Sequence, residues 1–301
     1  NGDQKTFESA MKTGNTGVIS YGTEIDQRFE IEYPEKEDVI DDGGSWADVY
    51  TFVKGKIDAF ESALKDGDFN TVRTIIDYES WADFFILTEF AKNGDGYRAS
   101  CVFVYEGGLL KAYPLWDYEL SFDNETRQEH GIDKTTGLLA KETTYSKVSG
   151  ENGTFPAPFW WTGNYYNQKT YKGLLDDPCF VTMVNARWTE HTGVDGALSK
   201  AKMQALVSAY NTALTTTDDT PTYNSPQKRE QQKWPYNGTT RGKTCNDKTI
   251  GYYGQGAGSA ISEVETFSSS KTTLDTWIGD SGRRGGLSTE IDNLAEDITF
   301  A

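Results

Sequence analysis

The sequence predicts an α+β fold with a mostly helical carboxy-terminal part, a small hairpin and a short sheet at the start. Two amphipathic or apolar helical patterns and one glycine-centred pair of short apolar runs carry that prediction. The first pattern follows Ser45, where Trp46, Val49, Val53, Ile57, Phe60 and Leu64 recur every three or four positions before a Lys65-Asp-Gly67 stop. The second runs from Tyr78 to Ala91, with Trp81, Phe84, Phe85, Leu87 and Phe90 covering too much of the circumference for a surface helix. After it, Cys101 to Tyr105 and Leu109 to Tyr113 flank Glu106-Gly-Gly108, a hairpin signature.

Ahead of these, Gly17 to Tyr21 and Arg28 to Tyr33 alternate polar and apolar residues as edge strands do, and Pro34 opens an acidic turn ending at Gly43-Gly44. Residues 123–172 read as a long irregular insertion holding the aromatic cluster Phe155 to Trp161. Residues 173–215 read as helical, 216–260 as turn-rich, and helix periodicity returns through Leu274, Trp277 and Ile278. The length is enough for one large domain or two smaller ones, and no internal repeat is seen.

Composition narrows the function. Formal net charge is −17, from 46 acidic and 29 basic residues, which repels nucleic acid and anionic membranes at long range. No run of about 18 apolar residues occurs, so no transmembrane segment is expected. The chain opens on Asn1, so a targeting signal is expected to have been removed or to lie upstream. Three cysteines, Cys101, Cys179 and Cys245, and only two histidines make a zinc site improbable; a Cys179–Cys245 disulfide stays open. Cys101 reads as a small buried hydrophobe.

The chemistry is sought at the hairpin. Asp95 precedes it and Asp117 follows it, and a hairpin returns the chain to its starting end, so both carboxylates can face one cleft. Phosphoryl transfer uses such a pair: one Asp orients the attacking hydroxyl and accepts its proton, while the other holds Mg²⁺ against nucleotide phosphates. By spacing alone, Asp95 as a turn former and Asp117 as a satisfied loop carboxylate remain open, as does a glycosidase pair.

The segments Asn93-Gly-Asp-Gly-Tyr-Arg-Ala-Ser100 and Pro114-Leu-Trp-Asp-Tyr-Glu-Leu-Ser-Phe-Asp-Asn124 resemble the core signature of the CotH (spore-coat protein H) kinase-like family. There an N-x-D loop is followed by a W-D-[FY]-[DN] loop. Trp160-Trp161, Leu175 to Phe180, Arg187-Trp188-Thr-Glu190, Lys228-Arg229 to Trp234-Pro235 and Leu274 to Ile278 are similar to the family in order and approximate spacing, over roughly residues 20–295. The resemblance implies an atypical protein kinase-like fold, with Asp95 at the catalytic acidic position, Asn93 shaping the catalytic loop and Asp117 at the metal position. It implies Mg²⁺ and ATP as cofactors, Ser100 and Glu119 as cofactor-binding positions, and a secreted or cell-envelope protein as acceptor.

Three features depart from the family pattern. Ser100 stands where many members carry a metal-binding Asn, and Glu119 and Asp123 stand where Asp or Asn and then Gly are common. The amino-terminal R-x-R-G-N-S strand and lysine-bearing strand have no counterpart. Lys54 and Lys56, on the Ser45 helix, read as solvated surface groups rather than phosphate ligands. A non-catalytic extracellular protein- or glycan-binding module on the same fold is the alternative. Trp160, Trp161, Tyr165 and Tyr166 read either as a stacking surface or as a lid on the core. Arg187 and Glu190 read as a buried helix ion pair or as reaching toward the cleft, and His191 as a helix-end residue.

Overall fold

The computed structural model describes residues 18–20, 28–97, 101–118, 121–122, 137–141, 173–216, 226 and 267–299, with the backbone alone at 18–20, 28–30, 94–95, 141, 267–270 and 298–299. They fall into two compact units, the first formed by residues 1–189 and 286–301 and the second by residues 190–285.

In the first unit, β1 (Val18–Ser20) pairs antiparallel with β2 (Arg28–Glu30), Ile19 opposite Phe29. The expected acidic turn after Pro34 is instead a short helix, α1 (Lys36–Asp41). The acidic residues Glu37 and Asp38 fall in its first turn, where they complement the amino-terminal end of the dipole, and Gly43 and Gly44 close it.

Helix α2 (Trp46–Lys65) begins where Ser45 predicts, the hydroxyl accepting from Asp48 N at 3.3 Å, a cap of about 1 kcal/mol. Ile57, Phe60 and Ala63 are its buried residues; Lys54 pairs with Asp58 at 2.5 Å, and Lys56 lies over the Phe52 and Tyr105 rings. The next helix, α3 (Phe69–Ile75), is not anticipated by the periodicity. Asp68 caps it through Thr71 N at 3.1 Å, and Val72 is its one buried residue.

Helix α4 (Tyr78–Ala91) has the expected bounds and the expected burial on nearly all sides, with Trp81, Phe84, Phe85, Ile86 and Phe90 in the core. Trp81 stacks on Phe103 with ring centroids 4.8 Å apart and meets Phe60 at 5.2 Å. Its indole N–H donates to Leu110 O at 3.0 Å, so the tryptophan fixes the hairpin as well as filling the core.

That hairpin joins β3 (Phe103–Glu106) to β4 (Leu109–Ala112) through Gly107 and Gly108, whose φ values of 62° and 90° a two-residue primed turn requires. Asp77 N also donates to Leu110 O, at 2.9 Å, and Ala112 N donates to Ser80 Oγ at 3.2 Å. The start of α4 therefore holds β4.

Helix α5 (Pro178–Thr192) follows the buried Asp177, whose carboxylate accepts from Arg73 Nη2 and Tyr78 Oη, both at 2.6 Å. One side chain thus ties α3, α4 and α5. Burial together with this carboxylate pushes the Tyr78 hydroxyl up. Arg187 forks onto Asp83 at 2.7 and 2.5 Å and reaches Glu79 at 2.9 Å, both on α4. A planar guanidinium matches such a carboxylate bidentately across a helix interface. His191 lies in the last turn of α5 as expected.

Cys179 is exposed and free, and Cys245 lies outside the described residues. Cys101 is half-buried, and desolvation pushes its thiol up. Of the 123–172 stretch, residues 137–141 are described; Leu138, Leu139 and Ala140 are buried there, with a 3-10 turn over Leu139–Lys141. The residues of α8 (Arg283–Thr299) in the first unit bury Leu287, Ile291 and Leu294, and Trp188 Nε1 donates to Ser288 Oγ at 3.0 Å.

In the second unit, α6 (Lys200–Thr215) packs along α7 (Phe267–Ile278). Lys200 meets Asp280 at 2.8 Å, and Asp280 also accepts from Arg284. Trp277 and Ile278 are buried.

One residue of α2 makes stability depend on pH. Glu61 is half-buried, its Oε1 has no hydrogen-bond partner, and burial, then repulsion from Asp58, pushes its carboxyl up to about 7 against the pull of Lys54. Between pH 4.5 and about 7 the folded state keeps a proton that the unfolded state releases, so stability falls as pH rises through that window. Glu61→Gln is expected to remove this loss and raise stability at pH 8 by about 1–2 kcal/mol, the shift being discounted for the solvent around a half-exposed group. Melting curves for the two proteins that stay parallel from pH 4 to pH 8 would contradict it.

Candidate active site

The loops on either side of the hairpin meet at the carboxy-terminal end of α4. Lys92 ends that helix in a left-handed conformation, φ 52°, and Asn93 N then bonds back to Thr88 O at 3.0 Å. This is the double-bonded helix stop that glycine usually provides. Gly94–Tyr97 continue as one 3-10 turn, which carries Asp95, with Gly96 N bonded to Asn93 O at 3.1 Å. Gly96 fits closely here: a Cβ would lie 2.9 Å from Thr88 Cγ2, so a larger residue would require a shift.

Asn93 is fully buried and donates through Nδ2 to Asp117 O at 3.2 Å. One amide therefore joins the Asp95 turn to the Asp117 loop, as the hairpin argument requires of the backbone. The carboxylate of Asp117 is exposed and its backbone is left-handed, φ 63°, a conformation Asp tolerates better than most residues. Tyr118, directly after it, shares a hydrogen bond with Thr88 Oγ1 at 3.0 Å, and burial pushes its hydroxyl up to about 12. Further on, Phe122 N caps Ala91 O at 2.8 Å, again with positive φ, 55°.

Lys92, Asp117 and Phe122 are the non-glycine residues with positive φ among those described, and all three surround this junction. Each such residue costs on the order of 1–3 kcal/mol and persists where surrounding contacts hold it. The contacts are the Schellman-type stop, the Asn93 amide and the Phe122 cap.

Beneath the junction lies a polar cluster that the sequence reading does not single out. The buried Glu89 accepts from Tyr97 Oη at 3.0 Å and from the backbone N–H groups of Leu139 and Ala140, both at 2.8 Å. Lys92, also buried, donates to Gly137 O at 2.7 Å, and Gly137 N donates to Glu290 Oε1 at 3.1 Å. The signal available was a glutamate inside an apolar helix, four residues before Asn93 and so on the same face.

A family model described as CotH kinase protein matches residues 10–278. The chain belongs to the CotH kinase family. No curated protein and no solved structure matches it. For a CotH chain, a kinase-like fold is implied by the family, and the helical architecture with its small antiparallel hairpin is compatible with it.

Of the site residues that the resemblance implies, Asn93 and Asp117 are brought into contact. Asp95 is placed by its backbone on the adjoining turn, and Ser100 and Glu119 lie outside the described residues, as do Trp160, Trp161, Tyr165 and Tyr166. Among the described residues no group of three or more His, Cys, Asp or Glu side chains could hold a metal ion, and no helix is long and apolar enough to cross a membrane. The donors that are described suit a hard cation: the Asp117 carboxylate is exposed, and Asn93 Oδ1 is buried without a hydrogen-bond partner. Mg²⁺ takes such oxygen atoms together with water and phosphate, and needs few protein ligands.

Proposed function

We propose that this CotH-family chain is an Mg²⁺-dependent phosphotransferase that moves the γ-phosphoryl group of ATP to a hydroxyl of a secreted or cell-envelope protein. The observation that carries the reading is the Asn93 Nδ2 bond to Asp117 O, which joins the turn bearing Asp95 to the strained loop bearing Asp117.

In this reading Asp95 hydrogen-bonds the acceptor hydroxyl and takes its proton as the oxygen attacks phosphorus, while the bond from phosphorus to the ADP oxygen breaks. Asp117 would anchor Mg²⁺, with Asn93 Oδ1 as a neutral oxygen beside it; bound there, the ion would neutralise charge on the phosphates. That matters in a chain of net charge −17, which otherwise repels a nucleotide. Asn93 also holds the two loops in register, and Ser100 and Glu119 are proposed to contact the nucleotide or its metal.

A non-catalytic protein- or glycan-binding module is the second reading, favoured by the exposure of Tyr113, Leu115 and Trp116 immediately before Asp117. Incubating the full-length protein with Mg²⁺ and ATP separates the two. The phosphotransferase reading expects ADP release and phosphate adducts on hydroxyl side chains by mass spectrometry. A folded protein that yields neither with Mg²⁺ or Mn²⁺ loses that reading to the binding module.

A further inference from the structure

The buried carboxylate of Glu89 joins two pieces of chain far apart in sequence. On one side Oε1 accepts from Tyr97 Oη, the last residue of the 3-10 turn that carries Asp95. On the other, Oε1 accepts from Ala140 N and Oε2 from Leu139 N. Glu89 and Tyr97 are 0% and 2% exposed, so neither group can exchange this partner for water. A buried carboxylate also demands its donors, because each donor lost leaves charge uncompensated in a low-dielectric interior.

We infer that Glu89 is a positioning residue: through Tyr97 it fixes the turn bearing Asp95, and through the Leu139 and Ala140 amides it locks that turn to the 137–140 segment. The inference rests on the phosphotransferase reading only for its catalytic consequence. The mechanical coupling stands on the contacts themselves. Lys92, three residues along the same helix end, grips Gly137 O and so holds the same segment at a second point.

The two sides of the strut can be cut separately. Tyr97→Phe removes the hydroxyl and leaves the amide contacts intact. Glu89→Gln puts an NH₂ where one carboxylate oxygen stood, so at least one of the donors from Tyr97, Leu139 and Ala140 faces another donor. Amide hydrogen exchange on the full-length protein, without nucleotide, is the measurement. Tyr97→Phe is expected to speed exchange over 94–97 by about tenfold while 137–140 keeps its wild-type rate. Glu89→Gln is expected to speed both segments together, with the 103–112 hairpin and the 46–65 helix unchanged.

Equal acceleration throughout the first unit in Tyr97→Phe, or no change over 94–97 in either variant, overturns the inference. Should Glu89→Gln fail to fold, the Tyr97→Phe pattern decides alone. With Mg²⁺ and ATP present, Tyr97→Phe is further expected to lower kcat for ADP release about tenfold with KM for ATP unchanged, since a displaced general base acts in the transition state. An equal rise in KM, or an unchanged kcat, overturns the positioning role. A wild-type protein that releases no ADP sinks the phosphotransferase reading alone, and the exchange pattern still decides the strut.

Discussion

Asp95→Ala is expected to slow phosphate transfer by about 10²–10⁴-fold while leaving Mg²⁺-dependent ATP binding within about twofold. A residue that orients the acceptor hydroxyl and takes its proton acts mainly in the transition state, so its loss appears in kcat rather than in nucleotide affinity. The turn that carries it should survive the substitution. Gly94–Tyr97 is held by backbone and by its neighbours, through Asn93 O to Gly96 N and through Tyr97 Oη to Glu89. Single-turnover transfer beside calorimetric ATP binding measures both quantities. Equal loss of binding and transfer would move Asp95 from proton acceptor to nucleotide or metal ligand.

Phe85→Ala is expected to destabilise the first unit by about 3–5 kcal/mol. Phe85 is 0% exposed, on a helix whose Trp81, Phe84, Ile86 and Phe90 are as deeply buried, so no exposed face lets the site collapse into solvent. Removing a ring from such a position deletes its transfer free energy and leaves a cavity that its neighbours fill only in part. A loss of that size is a large share of the 5–15 kcal/mol by which domains are stable. Urea unfolding read by tryptophan fluorescence tests it, and a midpoint within error of wild type would contradict the packing described for α4.

Why some of this was legible in the sequence and some not follows from the range of the interactions. Helix α2 has an amphipathic period and a serine cap, α4 has apolar residues on all sides, and Gly107-Gly108 sits between two short apolar runs; each signal is local and strong. The helices Lys36–Asp41 and Phe69–Ile75 are too short for a period to emerge, and bury no residue and one residue respectively. The Arg187 partners Asp83 and Glu79 are 104 or more positions away, so no local spacing announces them.

At the candidate site, Asn93 and Asp117 join the loops before and after the hairpin, whose antiparallel pairing brings those two ends of the chain together. The left-handed backbone of Asp117 and the anchoring of 137–140 by Glu89 and Lys92 were not legible. Neither leaves a mark in residue type, since Asp is common in loops of every conformation and a glutamate within a helix usually faces water.

The most direct test of the account is ATP titration by calorimetry on the full-length protein, with and without Mg²⁺, for wild type and Asp117→Asn. Asparagine suits the backbone φ of 63° at this position and keeps the shape of the side chain, so the variant removes a charge without straining the fold. Mg²⁺-dependent binding in the wild type that is lost in Asp117→Asn is the predicted result. A folded wild-type protein that ignores ATP in both conditions, or an Asp117→Asn variant that binds Mg²⁺-ATP as tightly as wild type, would contradict it.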